Sequence, residues 1–211
     1  MVNISIVKVK SSFGHEIHNP LFAHEPASDH LTALFPGVNN TYESPLLFYA
    51  RKVALQAGSD TLGIEYGYRR SGHALSTEAY KPTLEETIEA LRLCEIEKYR
   101  SVSFISKSFG TIVAGEAARY FKTVNIRNMF LTPVASTIPY INDKACIVVY
   151  GTADSNFSQS DAAKISDNPS VKLLAIPGAD HSLEIENDYR ASLRILEQIC
   201  ENYGMFLGSE K

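Results

Sequence analysis

Three segments of this chain place reactive side chains where apolar runs end. The first is SVSFISKSFGTIVAGEAARYF, residues 101–121, in which Ser108 stands between a β-prone run and a helix-prone run rich in small residues. A serine hydroxyl is a weak nucleophile until a neighbouring base takes its proton. A tight strand-to-helix turn lifts such an oxygen clear of a sheet, and it requires small residues two positions before and two after the serine. Gly110 meets the second demand; Ser106 stands at the first, where the G-x-S-x-G pattern has glycine. Serine is small enough for the turn to survive. The helix that follows directs unpaired N–H groups at the reacting centre, with the N–H of Phe109 as one oxyanion donor.

A nucleophile of this kind needs an acid and then a base, each after a later strand. The run at 146–150 ends in Gly151-Thr152-Ala153-Asp154, and the run at 171–176 ends in Pro177-Gly178-Ala179-Asp180-His181. Neutral His181 is suited to take the proton of Ser108 and return it to a leaving group, with Asp154 fixing its tautomer. Each segment has a plainer reading on its own: an ordinary strand–helix junction, a solvated loop histidine, an aspartate serving a turn. Their order and their common place at strand ends favour the catalytic reading. Asp180 is a rival for the acid, but adjacent side chains diverge, so it is expected to shape the histidine loop. Asp143 precedes its strand and belongs at the wrong edge of the sheet. A second oxyanion donor is expected from Pro36-Gly37-Val38-Asn39-Asn40, as the N–H of Val38 or of Asn39.

These side chains need a scaffold that brings strand ends together. Alternation of β-rich runs with amphipathic segments predicts a mostly parallel sheet of about seven or eight strands with helices on both faces. Strands are expected at 2–10, 15–23, 31–35, 61–66, 101–105, 127–131, 145–150 and 171–176. Ser44 and Pro45 open a helix that closes at Gly58. A polar loop over 67–81 leads to a helix opened by a Thr83/Glu86 capping box, with Leu84, Ile88, Leu91 and Cys94 facing the sheet. A short helix is expected near 158–166, and the last helix carries Tyr189, Leu193, Leu196, Ile199, Cys200 and Tyr203 on one face. The tail from 204 reads as frayed. No linker or repeat divides the chain, so 1–211 is read as a single domain.

Composition excludes several classes of function. Of 211 residues, 45% are hydrophobic and 21% charged, which fits a globular domain rather than a disordered one. The net charge of −4, with scattered Lys and Arg, argues against a nucleic-acid partner. No apolar run reaches the length of a membrane span, and the N-terminus reads as a strand rather than a signal peptide. Three widely spaced cysteines predict no disulfide framework and no metal site, and fit a reducing cytoplasm.

Over essentially its whole length, through FPGVNN, SKSFG, GTAD and GADH in that order, the chain resembles the α/β-hydrolase superfamily. It is most similar in pattern to small dienelactone-hydrolase-like and carboxylesterase-like members. The resemblance implies a serine hydrolase that cleaves carboxylic esters, or thioesters or amides, of small molecules. It implies Ser108 as nucleophile, Asp154 as acid and His181 as base, and no metal or other cofactor. Dienelactone hydrolases proper use cysteine, so their substrate is not implied. The connection at 132–140 is too short for a cap, so the pocket is expected to be open or shallow, bounded by this connection and the 67–81 loop, and to favour short acyl groups. Tyr66, Tyr68 and Arg69 are candidate pocket residues, although an arginine there is more simply read as solvated. A silent binding protein of the same fold and an acyltransferase using the same triad are the other readings. Oligomeric state and substrate are left open.

Overall fold

The computed structural model describes residues 1–72, 75–165 and 167–208. Eight strands form one sheet in the order β1-β2-β4-β3-β5-β6-β7-β8. They span Val2–Lys10 (β1), Glu16–His24 (β2), His30–Phe35 (β3), Asp60–Gly63 (β4), Ser101–Lys107 (β5), Ile126–Leu131 (β6), Cys146–Gly151 (β7) and Val171–Ile176 (β8). β1 and β2 form an antiparallel hairpin, β2 runs antiparallel to β4, and the other pairs are parallel. β3, β4 and β5 are buried along almost their whole length, as expected for parallel strands covered on both faces.

Alternation along β5 assigns the two faces. Val102 and Phe104 join a core with Leu91, Val113 and Ala117, from α3 (Thr77–Leu93) and α4 (Phe109–Tyr120). Ile105 joins the opposite core with Leu47 and Ala50 of α1 (Pro45–Gln56) and Ile195, Ile199 and Tyr203 of α7 (Tyr189–Gly208). The chain leaves β3 through α1 to β4 on one side, then crosses by way of α2 (Gly67–Arg70) and α3 to β5 on the other side. The C-terminal ends of β3 and β5 therefore flank the switch point at which open α/β sheets form a crevice.

The expected helices differ in three places. α3 begins six residues before the expected Thr83, with Ser76 as N-cap and its hydroxyl accepting from the Ala79 N–H at 3.3 Å. Thr83 instead donates to the Ala79 carbonyl, and Glu86 accepts from Ser11 and Ser12, so the Thr83/Glu86 capping box does not form. Pro82 sits inside this helix, whose first turn is held by Tyr80 against Phe109. The buried face is Ala79, Thr83, Glu86, Thr87, Ala90 and Leu91, and the half-buried Leu84 and Ile88 pack against the same core, which Cys94 also joins, as expected. In α7 the buried residues are Ile195, Ile199, Tyr203 and Phe206, whereas Tyr189 and Leu193 stand in solvent. The same helix continues through Gly208, so 204–208 is ordered where fraying was expected; 209–211 lie outside the described residues.

The 132–140 connection contains a 3-10 turn at Ala135–Thr137 and the start of α5 (Ile138–Ile141), with no cap inserted. α6 spans Gln159–Ala163, and residue 166 of the expected helix lies outside the described residues. Its N-cap Ser158 and Asp161 form a reciprocal capping box. Among the described residues no helix is long and apolar enough to cross a membrane.

Candidate active site

β5 ends at Lys107, and Ser108 turns the chain into α4 with φ 52° and ψ −124°. This backbone is disfavoured for any residue with a Cβ. It is held from both sides: the Ser108 N–H donates to the Leu131 carbonyl of β6 at 3.0 Å, and its carbonyl accepts from the Thr111 N–H at 2.9 Å. Gly110 is required because a Cβ there would lie 2.4 Å from the carbonyl oxygen of Phe35 and 2.5 Å from that of Pro36. Ser106 is tolerated because its buried side chain reaches sideways, donating to the Met129 carbonyl of β6. The two small positions of the turn thus answer to different neighbours.

β7 and β8 deliver the other two side chains, and their loops are laced together. The Ala153 N–H donates to the Ala179 carbonyl, the Thr152 N–H to Ile176, and the Gly178 N–H to the Thr152 hydroxyl. Gly151 allows this crossing, since a Cβ there would lie 2.1 Å from the Ala179 oxygen. Asp154 is buried; its Oδ1 accepts from the Asn156 N–H at 2.7 Å and its Oδ2 lies 2.8 Å from His181 Nδ1. His181 Nε2 lies 2.8 Å from Ser108 Oγ. Both contacts are satisfied when Nδ1 carries the proton and donates to Asp154, leaving Nε2 to accept from the serine hydroxyl. Asp180 binds the N–H groups of Ser182 and Glu184, and Asp143 pairs with Arg119, so neither rival acid reaches the ring.

The loop after β3 lies against the serine. A Cβ at Gly37 would lie 3.2 Å from Ser108 Cβ and 3.0 Å from Asn40 Oδ1. Among the described residues, the N–H groups of Val38, Asn39 and Phe109 have no hydrogen-bond acceptor. Beneath the loop, Tyr66 donates its hydroxyl to the Pro36 carbonyl at 3.1 Å and Tyr68 to the Val38 carbonyl at 2.9 Å. A planar trans peptide points its N–H away from its C=O. These two bonds therefore turn the Gly37 and Asn39 N–H groups away from the tyrosines.

Tyr66 and Tyr68 are thus not pocket walls as expected. Both are buried, with rings stacked at 5.8 Å and Phe109 edge-on to each. Burial pushes the Tyr68 hydroxyl up to about 12 and Tyr66 well above its ordinary range, so both remain donors. Arg69 pairs with Glu65 at 3.6 Å, in line with a structural role.

Lys107 went unrecognised in the sequence, where it is simply the residue before the serine. Its side chain is buried, and Nζ donates to the His181 carbonyl at 3.1 Å, tying β5 to the histidine loop. Burial pushes its ammonium below the ordinary lysine range, while Asp154, Asp180 and Glu184 partly oppose the shift. Alternation along β5 was the available signal: Lys107 shares the Ile105 face, where a cation needs an internal acceptor.

On that face lies a groove of about 960 Å³, between α1, the 180–188 segment and α7. Neither 132–140 nor the described part of 67–81 lines it. No cluster of three or more His, Cys, Asp or Glu able to hold a metal occurs among the described residues.

No protein-family model and no curated protein sequence matches the chain. Solved structures do match over nearly its full length. An esterase from Pyrococcus furiosus superposes with a TM-score of 0.73 at 14% identity, covering 99% of this chain and 93% of its own. A lidless α/β serine hydrolase from Xanthomonas campestris gives 0.69 at 12% identity, covering 97% and 94%. A dienelactone hydrolase from Anabaena variabilis gives 0.69 at 18% identity, covering 95% and 96%. The eight-stranded sheet, its strand order and these superpositions together assign the chain to the α/β-hydrolase fold in its form without a cap.

Proposed function

We propose that the chain is a metal-independent serine hydrolase that cleaves carboxylic esters of small molecules through an acyl-enzyme at Ser108. The observation that carries this reading is the unbroken line from Ser108 Oγ through His181 to Asp154, with 2.8 Å at each step. Ser108 Oγ attacks the carbonyl carbon as its proton passes to His181 Nε2, and Asp154 stabilises the imidazolium. The Phe109 N–H and the N–H of Val38 or Asn39 receive the oxyanion. His181 gives the proton to the departing alcohol oxygen, and water then repeats the sequence to free the acid. Thioesters and amides would follow the same course. The resemblance to solved hydrolases and esterases supports the reading at the level of fold.

A fluorophosphonate probe with mass-spectrometric mapping is the test. Labelling on the peptide that contains Ser108, lost in Ser108→Ala, is the expected result. Attachment at Ser106 or Ser182, or no labelling together with no ester turnover, overturns the proposal.

A further inference from the structure

The apolar stripe of α7 divides between two tasks. Ile195, Ile199, Tyr203 and Phe206 enter the core, Leu196 packs against it while also lining the groove, and Tyr189 and Leu193 turn toward the groove. Tyr189 is 68% and Leu193 59% exposed, so two large apolar side chains stand in water where the fold makes no use of them. Leu46, Leu183 and Ile185 face them across the groove. A cavity of about 960 Å³ with such walls is of the size that takes a small organic ligand.

The groove adjoins the reacting centre. Its lining includes Lys107 and Ser182, chain neighbours of Ser108 and His181, and also Asn40. The Cβ position of Gly37 touches both Asn40 Oδ1, at 3.0 Å, and Ser108 Cβ, at 3.2 Å, so one carbon's width separates the groove's lip from the serine. The side on which the groove lies decides which part of a substrate enters it. His181 Nε2 must reach the leaving oxygen, so the group attached to that oxygen departs along the histidine loop, which is one wall of the groove. Charge narrows the choice further. Asp180, Glu184, Glu186 and Asp188 line the groove against a single cation, Lys107, whose Nζ is engaged by the His181 carbonyl. An anionic group entering there meets net repulsion.

We propose that this groove binds the alcohol arm of the ester, and that the arm is uncharged and apolar, an alkyl chain or an aryl ring. The inference rests on the hydrolase reading of Ser108. Primary alkyl alcohols differ little in acidity, so a series of n-alkyl acetates varies burial while leaving the chemical step almost constant. From ethyl to about hexyl acetate, kcat/KM should rise about fourfold per buried methylene. The acetate of an ω-hydroxy acid of matched length should fall well below its uncharged counterpart.

Leu193→Asp, a change at a position that is 59% exposed, should flatten the series. Leu93→Asp, at a position on α3 that is 51% exposed and away from the groove, should leave it unchanged. A series that is flat or falling in the wild type, or one whose slope survives Leu193→Asp, overturns the groove assignment. Probe labelling of Ser108 with turnover of ethyl acetate would then leave the hydrolase reading standing. Absence of both would remove the two together.

Discussion

The hydroxyl of Tyr68 and the carbonyl oxygen of Val38 lie 2.9 Å apart, and this bond orients the peptide that presents the Asn39 N–H. An oxyanion donor is useful only if it is already aimed before charge develops. Tyr68→Phe keeps the ring packed against Phe109 but leaves the Val38 carbonyl without its buried donor. The expected result is a fall in kcat of roughly 10- to 100-fold with little change in KM, and a stability loss of about 1–2 kcal/mol. Steady-state kinetics and urea unfolding separate the two effects. Unchanged kcat would remove the tyrosine from the site.

Gly37 and Gly110 should respond in opposite ways to alanine. At Gly37 the added carbon meets Asn40 Oδ1, a side-chain end that can move aside, and presses on Ser108 Cβ, so the fold should survive while turnover falls at least tenfold. At Gly110 it meets two main-chain oxygens of the β3 loop at 2.4 and 2.5 Å, and the helix cannot move without opening the sheet. Gly110→Ala should cost about 3 kcal/mol or more, read from the urea midpoint. Equal stability loss in the two variants would contradict this division.

Activity should decline on the acid side. An imidazole that already holds a proton cannot accept one from Ser108, so kcat/KM must fall as His181 becomes charged. Near-normal turnover in His181→Ala would exclude His181 as the base.

Lys107→Met tests a cost in stability against a gain in alignment. Burial lowers the lysine below its ordinary 10.5, so between the lowered value and 10.5 the unfolded chain binds more protons than the native one. Wild-type stability must therefore rise with pH through that window, and the burial penalty is fully present below it. Methionine carries no such penalty. The stability difference between Lys107→Met and wild type should shift in favour of the variant at neutral pH and move back toward the wild type as the pH climbs past the window. Turnover should fall, because the His181 carbonyl loses its anchor to the nucleophile strand. A pH-independent difference would mean that Lys107 is not a buried cation in the native state.

Much of this arrangement was legible in the sequence because strand ends are marked locally. Ser108, Asp154 and His181 each follow a β-rich run directly, and chain order alone ranks them. Pro45 and Gly58 bracket α1 by chemistry that acts within a turn, whereas the Ser44 hydroxyl accepts from the Thr41 N–H and makes no capping bond to the helix. What stayed hidden depends on contacts far apart in the chain. Thr83 and Glu86 read as a helix start, yet the turn before them is held by Tyr80 against Phe109, which no local rule contains. Tyr66 and Tyr68 read as pocket residues because their strand points at the site. Their hydroxyls are engaged by a loop some thirty residues away, as the Tyr66–Pro36 and Tyr68–Val38 bonds show. The α7 periodicity marks apolar residues correctly but not which of them the core consumes.

The left-handed backbone at Ser108 has a consequence for anyone who alters this protein. A residue held in such a conformation raises the free energy of the native state by about 1–3 kcal/mol, most of which glycine would relieve at an unfolded-state entropy cost of about 1 kcal/mol. On the proposed reading of Ser108 as nucleophile, the reactive position is therefore also one where a single substitution can make the fold firmer. A library ranked by melting temperature alone would drift toward Ser108→Gly and return molecules that are more durable and inert. Screens for robustness in this chain need turnover as a co-selected trait, because the two properties diverge at this residue.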